Sequence, residues 1–173
     1  MGSDMCEYCG CQAVAAIAEL TREHDELVNL IGCARRAQAA GDVAGLAAVG
    51  RRMTRVLAPH TRVEEQGLFV ALAAQFPDHV AALTAEHRHI EAVLAECAHG
   101  APTDPTWPAR LLEALRVLRD HILAEQDGVF PAALANLDPE DWDAIDAVRS
   151  GATAELSPRE RASATGTNRS ARP

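Results

Sequence analysis

The sequence predicts an all-α fold, an up-down-up-down four-helix bundle with a short fifth helix and a disordered C-terminal tail. The chain is rich in Ala and Leu and only 3% aromatic, a composition that favours helix over sheet. Four long segments carry apolar residues three and four positions apart, which is the spacing of a buried helical face. The connections between these segments are short, as expected for antiparallel neighbours in a bundle.

Turn and cap residues set the predicted helix boundaries, because Gly is favoured just past a helix, Asp just before one and Pro in its first turn. The predicted helices run from about Cys11 to Ala40, from Asp42 to about Phe76 with Pro59 as an interior irregularity, from Pro77 to about His99, from about Ala109 to Val129 with Pro131 disturbing the end, and from Asp138 to Arg149.

These boundaries divide the chain into four regions. Residues 1–10 are a Cys-bearing N-terminal arm, residues 11–136 the bundle, and residues 137–150 the short helix. Residues 151–173 hold almost nothing apolar to bury, so we expect a disordered tail. We identify no internal sequence repeat.

Charge and hydropathy exclude several classes of function. The formal net charge of −9 disfavours nucleic acid as a partner. No apolar run approaches the length of a membrane span, and we see no basic region followed by an apolar core at the N-terminus. We therefore expect a cytoplasmic protein that does not associate with a membrane.

One His interrupts the apolar face of each predicted bundle helix, at a position where an aliphatic residue is expected. In an up-down bundle, at about 1.5 Å of rise per residue, the four imidazoles lie roughly 12–24 Å from the same end. They are therefore compatible with a single layer of the core. The four residues are His24, His60, His87 and His121.

Two of these histidines have a carboxylate four residues later, Glu64 after His60 and Glu125 after His121. Residues four apart share a helix face, so each pair can reach one centre. A buried carboxylate is costly unless a cation compensates its charge. Mixed imidazole and carboxylate donors suit iron, manganese or zinc, and their number suggests two ions. The alternative is a metal-free core in which these groups only hydrogen-bond, with no evident gain in packing.

The pattern resembles the hemerythrin-like (HHE cation-binding) family. The resemblance spans about residues 20–135 and implies an up-down four-helix bundle with an oxo- or hydroxo-bridged pair of iron ions. By this resemblance the four histidines are terminal ligands, and Glu64 and Glu125 bridge the ions. The matching stretches are Thr21-Arg-Glu-His24-Asp-Glu, His60-Thr-Arg-Val-Glu64-Glu-Gln-Gly-Leu-Phe69, Ala85-Glu-His87-Arg-His-Ile90 and His121-Ile-Leu-Ala-Glu125-Gln-Asp-Gly-Val-Phe-Pro131.

The sequence departs from the oxygen-carrying members of that family at Glu91. Those members have a further His one turn after the His of the third helix, where this chain has Glu91. Glu91 could be a seventh ligand, could leave a coordination position open, or could be an exposed residue that pairs with an Arg.

The resemblance implies a protein that binds or reacts with a small oxidant (oxygen, hydrogen peroxide or nitric oxide) in detoxification or sensing. The alternative is an iron-handling or redox-sensing module without turnover that acts on a protein partner. The oligomeric state stays open. A ferritin-like carboxylate site would need Glu-x-x-His on two helices, whereas Glu86-x-x-His89 and a second such pair both lie on the third, so we interpret Glu86 and His89 as solvated.

The N-terminal arm holds Cys6, Cys9 and Cys11 close together. Thiolates near a helix N-terminus are reactive, so this cluster could be a redox pair or a thiol electron donor. It could instead form a second metal site with His79 as a fourth ligand, or carry no function at all. Gly67, one turn past Glu64, could leave room for a small ligand or allow a close helix contact.

Overall fold

The computed structural model describes the backbone of residues 11–155 and the side chains of residues 15–151. The predictions for Cys6, Cys9 and residues 156–173 lie outside the described residues, as does the side chain of Cys11. Within the described range the elements are α1 (Cys11–Ala39), α2 (Val43–Val63), the π-helical segment π1 (Glu64–Leu68), α3 (Phe69–Leu72), α4 (Pro77–Ala95), α5 (Trp107–Ala124), the π-helical segment π2 (Glu125–Val129), α6 (Phe130–Asn136) and α7 (Pro139–Glu155).

The predicted bundle is confirmed. Its first and third helices are α1 and α4, its second is the continuous run α2–π1–α3, and its fourth is α5–π2–α6. Each bundle helix contacts the next, and α5 packs back on α1 to close the ring. The fifth helix, α7, lies against α1, α2 and π1, so it covers one side of the bundle.

Local sequence explains where the helices begin and end. Gly41 has a φ of 68°, a left-handed conformation that Gly adopts without strain and that ends α1. Asp42 then caps α2 by accepting a hydrogen bond of 2.8 Å from the Gly45 amide. Pro77 opens α4, where its missing N–H is not needed.

Four predicted helix ends are wrong, and the first of these is the end of α4, which lies at Ala95 rather than at about His99. The chain stays α-helical through Pro59, and the second bundle helix ends at Leu72. The fourth continues past Pro131 to Asn136, because π2 makes Pro131 a first-turn residue of α6, where no N–H is required. Helix α7 continues to Glu155 rather than ending at Arg149.

Side chains on one face of α7 explain its docking. Trp142 and Ile145 are buried against the bundle, at 5% and 1% exposed. One turn further on, Arg149 forms ion pairs of 3.0 Å with Glu19 and 2.8 Å with Glu23 of α1. This face therefore holds α7 against the bundle from Trp142 to Arg149.

The apolar core consists of two clusters that lie on opposite sides of a polar layer. One cluster includes Leu27, Met53 and Leu118, and the other includes Leu20, Phe69 and Phe130. The buried polar layer between them contains six of the seven predicted ligands. Among the described helices, none combines the length and apolarity that a membrane span requires.

Candidate metal centre

Six of the seven predicted site residues form one buried layer at the middle of the bundle. Each bundle helix contributes a His, and the second and fourth also contribute a Glu at the first position of their π-helical segments. No member of the layer is more than 2% exposed. The six are His24, His60, Glu64, His87, His121 and Glu125.

The imidazoles point their Nε2 atoms into the layer. Nε2 of His60 lies 3.1 Å from Glu64, and Nε2 of His121 lies 3.0 Å from Glu125. The donor atoms fall into two groups, each with its atoms within 4.8 Å of one another. One group is His24, His60, Glu64 and Glu125, and the other is Glu64, His87, His121 and Glu125.

The two carboxylates belong to both groups, with one oxygen directed to each. Glu64 places Oε1 3.1 Å from His60 and Oε2 3.3 Å from His87. Glu125 places Oε2 3.1 Å from His24 and Oε1 3.0 Å from His121. Each carboxylate could therefore contribute one oxygen to each group of donors.

The polar atoms of the layer fit a cation. Both oxygens of Glu64 and of Glu125, and Nε2 of His87 and His121, are buried without a hydrogen-bond partner among the described residues. Their polar neighbours at ion-pair distance belong to the same layer, and a divalent ion would satisfy the carboxylate oxygens and the imidazole nitrogens together. Imidazole and carboxylate donors together are typical of transition-metal sites.

The electrostatics of the metal-free layer favour protonated imidazoles beside ionised carboxylates. Burial alone would lower the pKa of His60, but Glu64 and Glu23 outweigh it and raise that pKa to about 10. Burial also opposes the protonation of His121, yet Glu125 raises its pKa to about 9. Burial would raise the pKa of Glu64, and His60 and His87 instead hold it far below its usual range.

Three further carboxylates hold the outer nitrogens of the ligand histidines. Nδ1 of His60 lies 2.8 Å from Glu23, Nδ1 of His121 lies 2.8 Å from Glu86, and Nδ1 of His87 lies 3.1 Å from Glu65. Such partners fix the ring orientation and raise ligand basicity. The sequence analysis did not assign this role, and Glu86 contacts His121 while 41% of its side chain stays exposed. The sequence did contain a signal for this role, because each of these three residues is the sequence neighbour of a predicted ligand.

The structure also reveals an internal repeat that the sequence analysis missed. Thr-x-Glu-His occurs at 21–24 and at 84–87, and His-x-x-x-Glu-x-x-Gly-x-Phe at 60–69 and at 121–130. The two copies have matching geometry: Phe130 stacks on His24 with ring centroids 5.4 Å apart, and Phe69 stacks on His87 at 5.8 Å. The site is therefore built from two similar halves.

Glu91, the seventh predicted ligand, is not brought to the layer. The buried arc of α4 runs through Leu83, His87, Ile90 and Leu94. His87 lies at one edge of this arc, and Glu91, four residues later, falls just outside that edge. The side chain of Glu91 is exposed. The structure thus favours the exposed alternative over a seventh ligand.

The second alternative for Gly67 is also favoured. A Cβ added at Gly67 would lie 3.1 Å from Cγ1 of Ile145 and 3.3 Å from its Cα, so this Gly allows the close approach of α7. His79 lines an apolar surface cavity of about 220 Å³ with Phe76 and Val80. The thiols that would complete such a site with His79 lie outside the described side chains.

Comparison with known families agrees with this geometry. The model of the hemerythrin HHE cation binding domain matches residues 15–133, a range that contains all six residues of the layer. The chain belongs to this family. The hemerythrin HHE domain is a cation-binding domain, and here its buried His and Glu side chains form a cluster that could hold metal. No curated protein and no solved structure shows significant similarity to the chain.

Proposed function

We propose that this hemerythrin HHE domain holds two iron ions and reacts with a small oxidant: oxygen, hydrogen peroxide or nitric oxide. The observation that carries the proposal is the orientation of Glu64 and Glu125, each of which offers one oxygen to each group of donors. Two shared carboxylates with two histidines on either side supply donors for a pair of ions, with His24 and His60 at one and His87 and His121 at the other.

The donor count supports redox chemistry at open positions. Each ion would take two imidazole nitrogens and two carboxylate oxygens from the protein. Two histidines with carboxylate and open positions are typical of non-haem iron that activates oxygen. When bound, the iron pair supplies one-electron redox steps to a small oxidant.

The surrounding residues select for a small ligand. The six site residues are at most 2% exposed, and apolar clusters cover the layer on both sides. Phe69 and Phe130 lie flat against two of the ligand rings. A molecule that reaches the centre must therefore be small, and the dry surroundings limit side reactions with water.

Metal analysis and turnover of the purified protein test the proposal. We expect about two irons per chain, near-ultraviolet bands that change on addition of peroxide, and consumption of peroxide or nitric oxide that falls when His121→Ala removes a ligand. Glu91→Ala is the matched control and should change neither the iron content nor the rate at which the oxidant is consumed, because Glu91 is exposed.

The outcomes separate the candidate functions. Two irons without turnover of any of the three oxidants would leave the iron-handling or sensing alternative. Absence of iron after reconstitution under anaerobic conditions would contradict the proposal.

A further inference from the structure

The two halves of the site differ in the partners of their outer nitrogens. In the half with His87 and His121, both Nδ1 atoms contact a carboxylate, Glu65 at 3.1 Å and Glu86 at 2.8 Å. In the other half, only Nδ1 of His60 has such a partner. Nδ1 of His24 is buried, and no hydrogen-bond partner for it lies among the described residues.

A single substitution within the repeat explains the missing partner. Glu65 follows the bridging Glu64, and the equivalent position after Glu125 is Gln126. Gln126 is half-buried and lines a surface groove with Thr21 and Phe130, the residue that stacks on His24. Gln126 therefore lies on the side of His24 where the repeat would place a carboxylate.

Arg149 increases the difference. It donates to Glu23 at 2.8 Å, so the one carboxylate on the His24 and His60 half is paired with a cation. The electron donation that Glu23 can give to His60 is shared with the guanidinium. Around the ligand nitrogens, the outer layer then carries two carboxylates on one half and one neutralised carboxylate on the other.

We propose that the two metal positions are inequivalent, and that the position formed by His87 and His121 binds its ion first and more tightly. This inference rests on the proposed function, since it requires that both positions bind metal. A carboxylate on Nδ1 makes an imidazole a stronger ligand, and loss of one such partner costs about 10- to 100-fold in metal affinity. We expect a separation of that order between the two steps of binding.

Calorimetric titration of the metal-free full chain with Co²⁺, which avoids oxidation during the measurement, tests the separation. Wild type should bind two ions in steps whose affinities differ about 10- to 100-fold. Gln126→Glu supplies the missing partner to His24 and should strengthen the weaker step until the two steps merge. Gln66→Glu is the matched control: it adds the same charge in the other half at an exposed position, so the two steps should stay apart.

Removal of one ligand assigns the steps. His24→Ala should keep the tight step, and His87→Ala should lose it. Two steps of equal affinity in wild type, or a tight step that survives His87→Ala, would overturn the inequivalence and leave the proposed metal centre standing. A wild-type chain that binds no ion would overturn the proposed function and the inference with it.

Discussion

The two halves of the bundle, one with His24 and His60 and the other with His87 and His121, carry the same types of candidate ligand. They differ in the residues that pack over those ligands. In the first half, α7 packs on Gly67, and Arg149 pairs with Glu23, whose side chain is 16% exposed. In the second half, a Cβ at the equivalent Gly128 would meet nothing within 4 Å among the described residues, and the side chain of Glu86 is 41% exposed. The repeat thus fixes the donor atoms, while the fifth helix and the residue after each bridging Glu set the surroundings.

The largest expected effect comes from Glu64 and Glu125, the two carboxylates that belong to both groups of donors. Glu64→Ala and Glu125→Ala should each lower metal content from two ions to fewer than one per chain, because each carboxylate serves both positions. Metal analysis after reconstitution measures this. A variant that loses a single ion and keeps the other at full occupancy would show that its carboxylate serves one half alone.

The pH dependence of metal binding should be nearly as large, and one histidine from each half contributes to it. The metal-free protein holds a proton on His60, with a pKa of about 10, and one on His121, with a pKa of about 9. A metal must displace both, so binding at pH 7 should release about two protons, and affinity should rise with pH up to about 10. Calorimetry in buffers of different ionisation enthalpy counts these protons.

The same groups should give the metal-free fold the opposite pH dependence. Because both pKa values are raised above the usual 6.5, protonation stabilises the metal-free fold fully below that pH, and this stabilisation is lost as the pH rises through 9 to 10. Thermal unfolding without metal should therefore occur at lower temperature at pH 10 than at pH 7. An unchanged midpoint would show that these two imidazoles are not protonated in the metal-free protein.

The smallest effect concerns the two glycines and sharpens the difference in cover. Gly67→Ala should destabilise the fold by about 1–3 kcal/mol, since the new Cβ meets both the side chain and the backbone of Ile145. Gly128→Ala should stabilise it by up to about 1 kcal/mol through helix propensity alone. Urea unfolding of the metal-free variants gives both values. Equal effects at the two sites would mean that α7 does not pack closely on π1.

The sequence was sufficient to predict the bundle and the six residues of the layer. Each of those residues is polar on a helix face where the helical pattern predicts buried apolar side chains. It was insufficient for the outer carboxylates. Helical spacing shows which side of a helix is buried, but it does not show which residue at the edge of that face contacts the next helix, as Glu23 does with His60. The prediction of Glu91 as a ligand failed for a related reason. Four residues correspond to slightly more than one helical turn, and the extra rotation places Glu91 outside the buried arc.

The π-helical segments have a consequence for how these helices can change in length. In each segment the amide five residues after the bridging Glu donates to its carbonyl, Phe69 to Glu64 and Phe130 to Glu125. Each wide turn therefore contains one residue more than an α-helix would. Deletion of a single residue from Glu64–Leu68 would let the turn close to α-helical geometry, and because the wide turn of five residues and an α turn of four both bring the chain round about once, Phe69 would stay on the side of the helix that faces His87. These two five-residue stretches are thus places where each helix could lose one residue without turning the rest of its length away from the core.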